Sequence, residues 1–382
     1  MNASLSKKLE NVEWGEFAIG DLFDVQASKK RFNANKVKLL NKSGYPYVVR
    51  TSQNNGIKGL LDAPVEFLNS GNTLSFGQDT ATVYYQKNPY FTGDKIKILQ
   101  PKIELFSKKN AQFFVAAINQ SFSSFEWGVG SYSIKVIESQ SIKLPVSGRE
   151  IDFDFIESFL AELEAAHLAE LEAYLEASGL DNYILTSEEE AIVSNFDSLN
   201  WKEFSVEDIF EKISVKKFSK SDVQKNRSEI FATPVVYCKY GDNGIMYWAK
   251  NGVAEVRDNI ISVVYNGAIA AGKVYAQKES TGILAESYFI SHKQNPGNHE
   301  INLFLSAALE KVLYPKYSRD FLATWSGRVQ KDILILPSGL DDVIDYESIL
   351  ILISAIKKII IKDLVEYAQS KSVVTRQVIQ NR

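Results

Sequence analysis

Cysteine is all but missing: Cys238 stands alone among 382 residues. An internal disulfide and a cysteine metal cluster are therefore excluded, and the usage fits a reducing cytoplasm. Histidine occurs three times, at His167, His292 and His299, too few and too scattered for a metal site. His292 and His299 read as solvated loop residues. A carboxylate two residues before a lysine, the minimum that common nuclease chemistry requires, occurs nowhere. Long apolar runs are missing too. The most hydrophobic one, ILILISAI at Ile349 to Ile356, stops at Lys357 and Lys358, short of the roughly 20 residues that span a bilayer. The N-terminus lacks a signal-peptide apolar core, so the sequence predicts a soluble, cytoplasmic chain.

Two segments imitate catalytic motifs and fail. GAIAAGKV, Gly267 to Val274, satisfies G-x-x-x-x-G-K, but Val274 stands where a phosphate-binding loop needs Ser or Thr for magnesium. A turn between strands with Lys273 at its edge is the stronger reading. NPYF, Asn88 to Phe91, resembles the Asn-Pro-Pro-Tyr loop of adenine-N6 methyltransferases without the second proline or a glycine-rich cofactor motif before it. A turn before a strand explains it. No catalytic constellation and no cofactor site emerges.

What the chain does contain is a repeat. Trp14, Phe17, Asp21 and Phe23 recur as Trp201, Phe204, Asp208 and Phe210 at a constant separation of 187. Asn55-Gly56-Ile57 is answered by Asn243-Gly244-Ile245, and the IKLP ending at Pro145 by the LILP ending at Pro337. The series from Ile151 then matches that from Ile344, Leu171 with Leu364 and Tyr174 with Tyr367. One unit of about 190 residues is stated twice, with small loop insertions accounting for the drift.

Each unit has two textures. Short runs of Val, Ile, Tyr, Phe and Thr broken by Gly, Asn and Pro predict a mostly β domain. A long amphipathic helix follows. Its apolar positions are Ile156, Phe159, Leu160, Leu163, Leu171, Tyr174 and Leu175 in the first copy, and Ile349, Ile353, Ile356 and Ile360 in the second. Such stripes need partners, so the two helices are expected to pair as an antiparallel coiled coil about a pseudo-twofold axis; the alternative is that each packs on its own β domain. The fold class is α+β, ordered as β-rich domain 1–150, helix 151–178, acidic linker 179–199, β-rich domain 200–343, helix 344–371 and tail 372–382. Formal charge is −4 overall, but +6 over 1–150, −13 over 151–199 and +3 over 200–382, two mildly basic blocks around an acidic one.

After each opening motif comes a basic stretch with a phenylalanine. Lys29, Lys30 and Arg31 precede Phe32, and Lys216 and Lys217 precede Phe218. A single charge run is usually a solvated face; recurrence in both copies favours phosphate contact, which positions a protein on DNA. The loops RTSQNNG and KYGDNG end matched strands. They offer Arg50, Gln53 and Asn54 in one copy and Lys239, Asp242 and Asn243 in the other, side-chain types that complement base edges. Tight Asn-Gly turns are the plainer explanation. Lys273 and Arg328 complete the candidate DNA-contacting set.

The order of these features, stated twice, resembles the specificity subunits of Type I restriction–modification systems and, equally, the BcgI-like Type IIB specificity subunits. IGDLF, GAIAAGK and the ILP strand before each helix carry the likeness. The resemblance implies that residues 13–150 and 200–340 are target recognition domains, each reading half of a bipartite double-stranded DNA sequence. The helices would be spacers binding methyltransferase subunits, two in number, with an endonuclease subunit or a fused nuclease–methyltransferase completing the complex. Leu350, Leu352, Ile359 and Ile361, beside the main stripe, are the candidate partner-binding residues. A stand-alone adenine methyltransferase and a scaffold without nucleic acid are the alternatives that the sequence leaves open.

Overall fold

The computed structural model describes residues 3–123, 132–294 and 297–380. It divides into two compact units: residues 1–174 with 367–382, and residues 175–366.

In the first unit, Trp14–Ala18 pairs antiparallel with Ser141–Ser147, Trp14 opposite Pro145. This is the opening motif meeting the IKLP strand. The chain then makes a single helical turn, Ile19–Leu22, and enters a four-stranded antiparallel sheet ordered Phe23–Ala27, Ile96–Pro101, Thr73–Gly77, Val83–Gln86. Ile19, Leu22 and Phe23 are buried in one core with Leu74, Phe76, Leu99, Phe114 and Ile118. The repeated motif therefore recurs for packing. A three-stranded sheet, Ile57–Leu61, Tyr45–Val48, Phe91–Thr92, completes the β domain, with Tyr47 paired in parallel to Phe91.

The second unit repeats this plan. Trp201 lies opposite Pro337, and four strands follow in the order Phe210–Ile213, Ser287–His292, Ile260–Val264, Val274–Gln277. Val235 pairs in parallel with Gly282, as Tyr47 does with Phe91. Leu305, Leu309 and Leu313 of the helix His299–Lys316 share the core with Val206, Phe210, Ile261 and Val263. Each opening tryptophan donates its indole N–H to a carbonyl five residues back: Trp14 to Leu9 and Trp201 to Phe196, both at 3.2 Å.

The long helices run Phe153–Ala177 and Tyr346–Gln380, the second reaching through most of the stretch expected as a tail. In the first unit, Glu162 takes Lys8 from the helix Ala3–Asn11 at 2.5 Å, and Glu164 takes Lys371 at 3.4 Å. The acidic first helix is thus matched by lysines from other elements. In the second unit the expected acidic linker carries a helix, Ser187–Ser194, whose capping box joins Thr186 and Glu189. Glu189 also accepts from Lys358 at 2.8 Å and Ser354 at 2.6 Å. It is buried, which alone would raise its pKa, yet these bonds and the Thr186 amide hold it down at about 2.

Both apolar stripes differ from expectation. On the first helix Ile156, Phe159 and Leu175 are buried, but so is Leu168, while Tyr174 is exposed. On the second, Ile349 and Ile353 are buried with Leu352 and Ala355, whereas Ile356 and Ile360 are exposed. Where nearly every residue is apolar, several helical phases fit the sequence equally, and tertiary packing selects one. His292 corrects the reading of a solvated loop. It is 2% exposed, its Nε2 stands 2.6 Å from the Tyr346 hydroxyl, and its Nδ1 accepts from the Gln294 amide.

Candidate nucleic-acid interface

The Asn-Gly turn is built identically in both units. Asn55 and Asn243 adopt φ of 53° and 54°, and the glycines after them 77° and 73°, a left-handed succession that Asn and Gly accept at least cost. A Cβ on Gly56 would meet the Tyr84 ring at 3.0 Å, and one on Gly244 the Tyr275 ring at 2.9 Å. Asn55 Nδ2 donates to the Tyr85 carbonyl at 2.9 Å, and Asn243 Nδ2 to the Ala276 carbonyl at 3.1 Å. Gln86 and Gln277 return bonds to the Asn carbonyls and to Ser75 and Ser262. Tyr84 and Tyr275 donate to the Thr51 and Lys239 carbonyls, so position 51 corresponds to 239 and Arg50 to Cys238.

A second doubled feature lies beside it. Phe32 and Phe218 donate their amides to the Thr92 and Ile283 carbonyls, which places the preceding cations, Arg31 and Lys217, in equivalent positions. Around Arg31 is a cavity of about 560 Å³ that also takes in Phe32, Asn33, Arg50, Lys58 and Asp94. Arg31 lies 3.7 Å from Asp94, Arg50 is bonded to Asp79, and Lys95 reaches Asp79 at 2.9 Å. Lys97 is buried nearby. Burial first, and the Arg31 charge second, hold its pKa below the usual lysine value. Around Lys217 a cavity of about 410 Å³ is lined by Lys212, Tyr265, Ser287, Tyr288 and Trp325 among others. Lys217 Nζ donates to the Ser287 carbonyl at 3.0 Å, and burial together with the Lys212 charge lowers its pKa. Two concave, cation-lined surfaces, each including the equivalent cation Arg31 or Lys217, suit an anionic polymer.

Comparison with known proteins gives these surfaces a context. Residues 11–173 match the family described as the Type I restriction modification DNA specificity domain. A protein of Heyndrickxia coagulans, the Type II restriction enzyme BgcI specificity subunit S.BcgI, is 26% identical over 343 residues, 88% of this chain and 92% of that one. Over residues 11–173 by the family model, and over 343 residues by this relative, the chain is similar to restriction–modification specificity subunits. The crystal structure of the Type-I restriction-modification system S subunit from M. genitalium shares the α+β fold, with a TM-score of 0.56 at 15% identity over 97% of this chain and 95% of that one.

In this chain the residues singled out in the sequence fall into two groups. Several are engaged within their own domain. Asn54 donates to the Ile57 carbonyl, Asn243 is spent inside the turn, and Lys239 pairs with Asp242. Lys273 is mostly buried, bonded to Glu310 at 2.8 Å and held between the rings of Tyr240 and Tyr314. Burial alone would lower its pKa, but Glu310 outweighs it and raises the value. The GAIAAGK segment is thus a turn against the helix His299–Lys316; a Cβ at Gly272 would stand 2.6 Å from the Leu313 carbonyl. Arg328 bonds the Leu322 carbonyl at 2.7 Å and stacks over Phe321. In NPYF, Tyr90 is fully buried, its hydroxyl 3.1 Å from that of Thr73.

Lys29, Lys30, Arg31, Gln53 and Lys216 instead have exposed side chains. Lys30 rests 4.0 Å from the centroid of the Phe67 ring. Sequence reasoning missed Lys58, Asp79, Lys95, Lys97, Lys212 and Tyr265, which share no motif and come together only through sheet register. Of the partner candidates on the second helix, Leu350 and Ile359 are exposed, Ile361 is half-buried, and Leu352, only 4% exposed, is a core residue.

Proposed function

We propose that this chain is a restriction–modification specificity subunit and reads a bipartite double-stranded DNA target, one half through residues 13–150 and the other through residues 200–340. In the same reading its long helices recruit methyltransferase subunits, two of them, and with these an endonuclease or a fused nuclease–methyltransferase. The observation that carries the first part is the doubled frame. It is held by the same hydrogen bonds in both units, an anchoring cation stands at the same place in both, and the surrounding side chains differ. One frame with two linings is what two unlike half-sites require. The second part is supported by the exposed row Leu350, Ile356, Ile359, Ile360 and Leu364 on the second helix, a contiguous apolar face of the kind that marks interfaces.

Replacing Lys30 and Arg31, or Lys216 and Lys217, by Ala tests the DNA assignment. Binding to all duplexes should weaken, and the dependence of log affinity on log salt should flatten by about one unit for each phosphate no longer neutralised. Altered sequence preference at unchanged salt slope would contradict phosphate binding by these residues.

A further inference from the structure

Because the two units share one frame, their residues can be compared position by position. Lys97 lies opposite Phe76 in the first unit and Tyr288 opposite Val263 in the second, so Lys97 and Tyr288 are equivalent. The Gln78 amide donates to the Lys95 carbonyl and the Tyr265 amide to the Glu286 carbonyl, both at 2.9 Å, and Lys95 and Glu286 both adopt φ of 56°. Lys95 and Glu286 therefore occupy one position with opposite charge. In the first unit the lysine is neutralised by Asp79.

In the second unit the carboxylate is not satisfied in the same way. Glu286 Oε2 is buried and has no hydrogen-bond partner among the described residues. The residue as a whole stays partly exposed, next to Ser287 of the cavity wall. Its charge is felt by Tyr265, whose pKa is raised first by burial and then by Glu286, and by Lys217, whose pKa Glu286 pulls upward against burial. A buried acceptor without a donor costs stability, and the cost is recovered when a donor arrives. In the DNA major groove a glutamate accepts from the amino group of cytosine; guanine and thymine offer only acceptors there, and adenine sets the acceptor N7 beside its amino group, which a carboxylate cannot pair.

Resting on the DNA-reading role proposed above, we infer that Glu286 is a specificity-determining residue of the second unit and accepts a hydrogen bond from the exocyclic amino group of a cytosine in its half-site. Lys217, whose charge interacts with Glu286, and Lys212, on the wall of the neighbouring cavity, hold the DNA backbone beside this base. The first unit, with Lys95 at the same position, cannot make this hydrogen bond and reads a different base there.

The test uses the full-length chain, purified with the subunits that accompany it, and a library of randomised duplex DNA from which bound sequences are selected and read. Wild type and Glu286→Gln, a near-isosteric change, are compared with Glu286→Lys, which installs the residue that the first unit already carries in this left-handed conformation. Glu286→Gln should lower the preference for cytosine at one position of one half-site about tenfold, and Glu286→Lys should favour guanine at that position, with the other half-site unchanged in both. An unchanged selected sequence in either folded variant, or a uniform loss of binding without a change of preference, overturns the inference and leaves the DNA-reading proposal standing. Absence of any sequence selection by the wild-type complex would instead overturn that proposal, and the inference with it.

Discussion

The residues most visible in the sequence turn out to divide between frame and function in a way that only hydrogen bonds reveal. Asn243 has the right chemistry for adenine, yet both hydrogens of its amide are taken by the Ala276 carbonyl and by Gln277. Asn243→Ala should therefore act on stability. It leaves buried acceptors unmatched and puts Ala at a φ of 54°, for a loss of about 2 kcal/mol, measurable as a lowered denaturant midpoint with the selected DNA sequence unchanged. A changed sequence preference would return Asn243 to the reading surface. His292 gives a pH signature. Burial depresses its folded pKa, so the ring is neutral in both states above about pH 6.5, and below that the unfolded chain takes the proton first. Stability should then fall as pH drops from about 6.5 toward the folded value, with His299, also depressed, adding in the same direction. His292→Gln should reduce this slope at pH values below about 6.5; an equally steep slope in the variant would place the effect elsewhere. None of this was legible from three scattered histidines, because burial is set by strand pairing far along the chain.

At the scale of elements, the sequence shows most where a pattern has one solution. The opening motif and the ILP strand stand as separate repeats in the sequence, and the structure pairs them, Trp14 with Pro145 and Trp201 with Pro337. The long helices were legible as helices, since no Gly or Pro interrupts them. Their phase was not. With Ile, Leu and Ile at almost every step from Ile349 to Ile361, periodicity cannot separate the buried Leu352 from the exposed Ile360. That difference is testable. Leu352→Glu places a charge in the core and should lower thermal stability severely, by about 3 kcal/mol or more. Ile359→Glu, at a residue 49% exposed, should leave the melting temperature within a few degrees while reducing co-purification of methyltransferase subunits. Normal co-purification with Ile359→Glu would remove this face from the partner interface. The helix Ser187–Ser194 escaped notice inside an acidic stretch, although Thr186 and Glu189 spell the S/T-x-x-E signal of a helix start. The charge run masked it.

For the whole molecule, duplication is the feature that sequence and structure share most fully. Separations of 187 to 193 residues become two units with the same strand order, the same parallel pairing and the same turn network. What duplication hides in the sequence is which differences matter, since most surface positions have diverged. The structure narrows these to side chains at equivalent places in the shared frame, Lys95 against Glu286 and Lys97 against Tyr288 foremost. The central claim, that each unit reads its own half of one DNA target, is tested most directly by exchanging residues 13–150 for the corresponding domain of a specificity subunit with a different target and mapping methylated sites in cells that hold the partner subunits. The account expects one half of the methylated sequence to change to that of the donor protein while the other half stays as it was. A methylated sequence that changed throughout, or did not change at all, would contradict it.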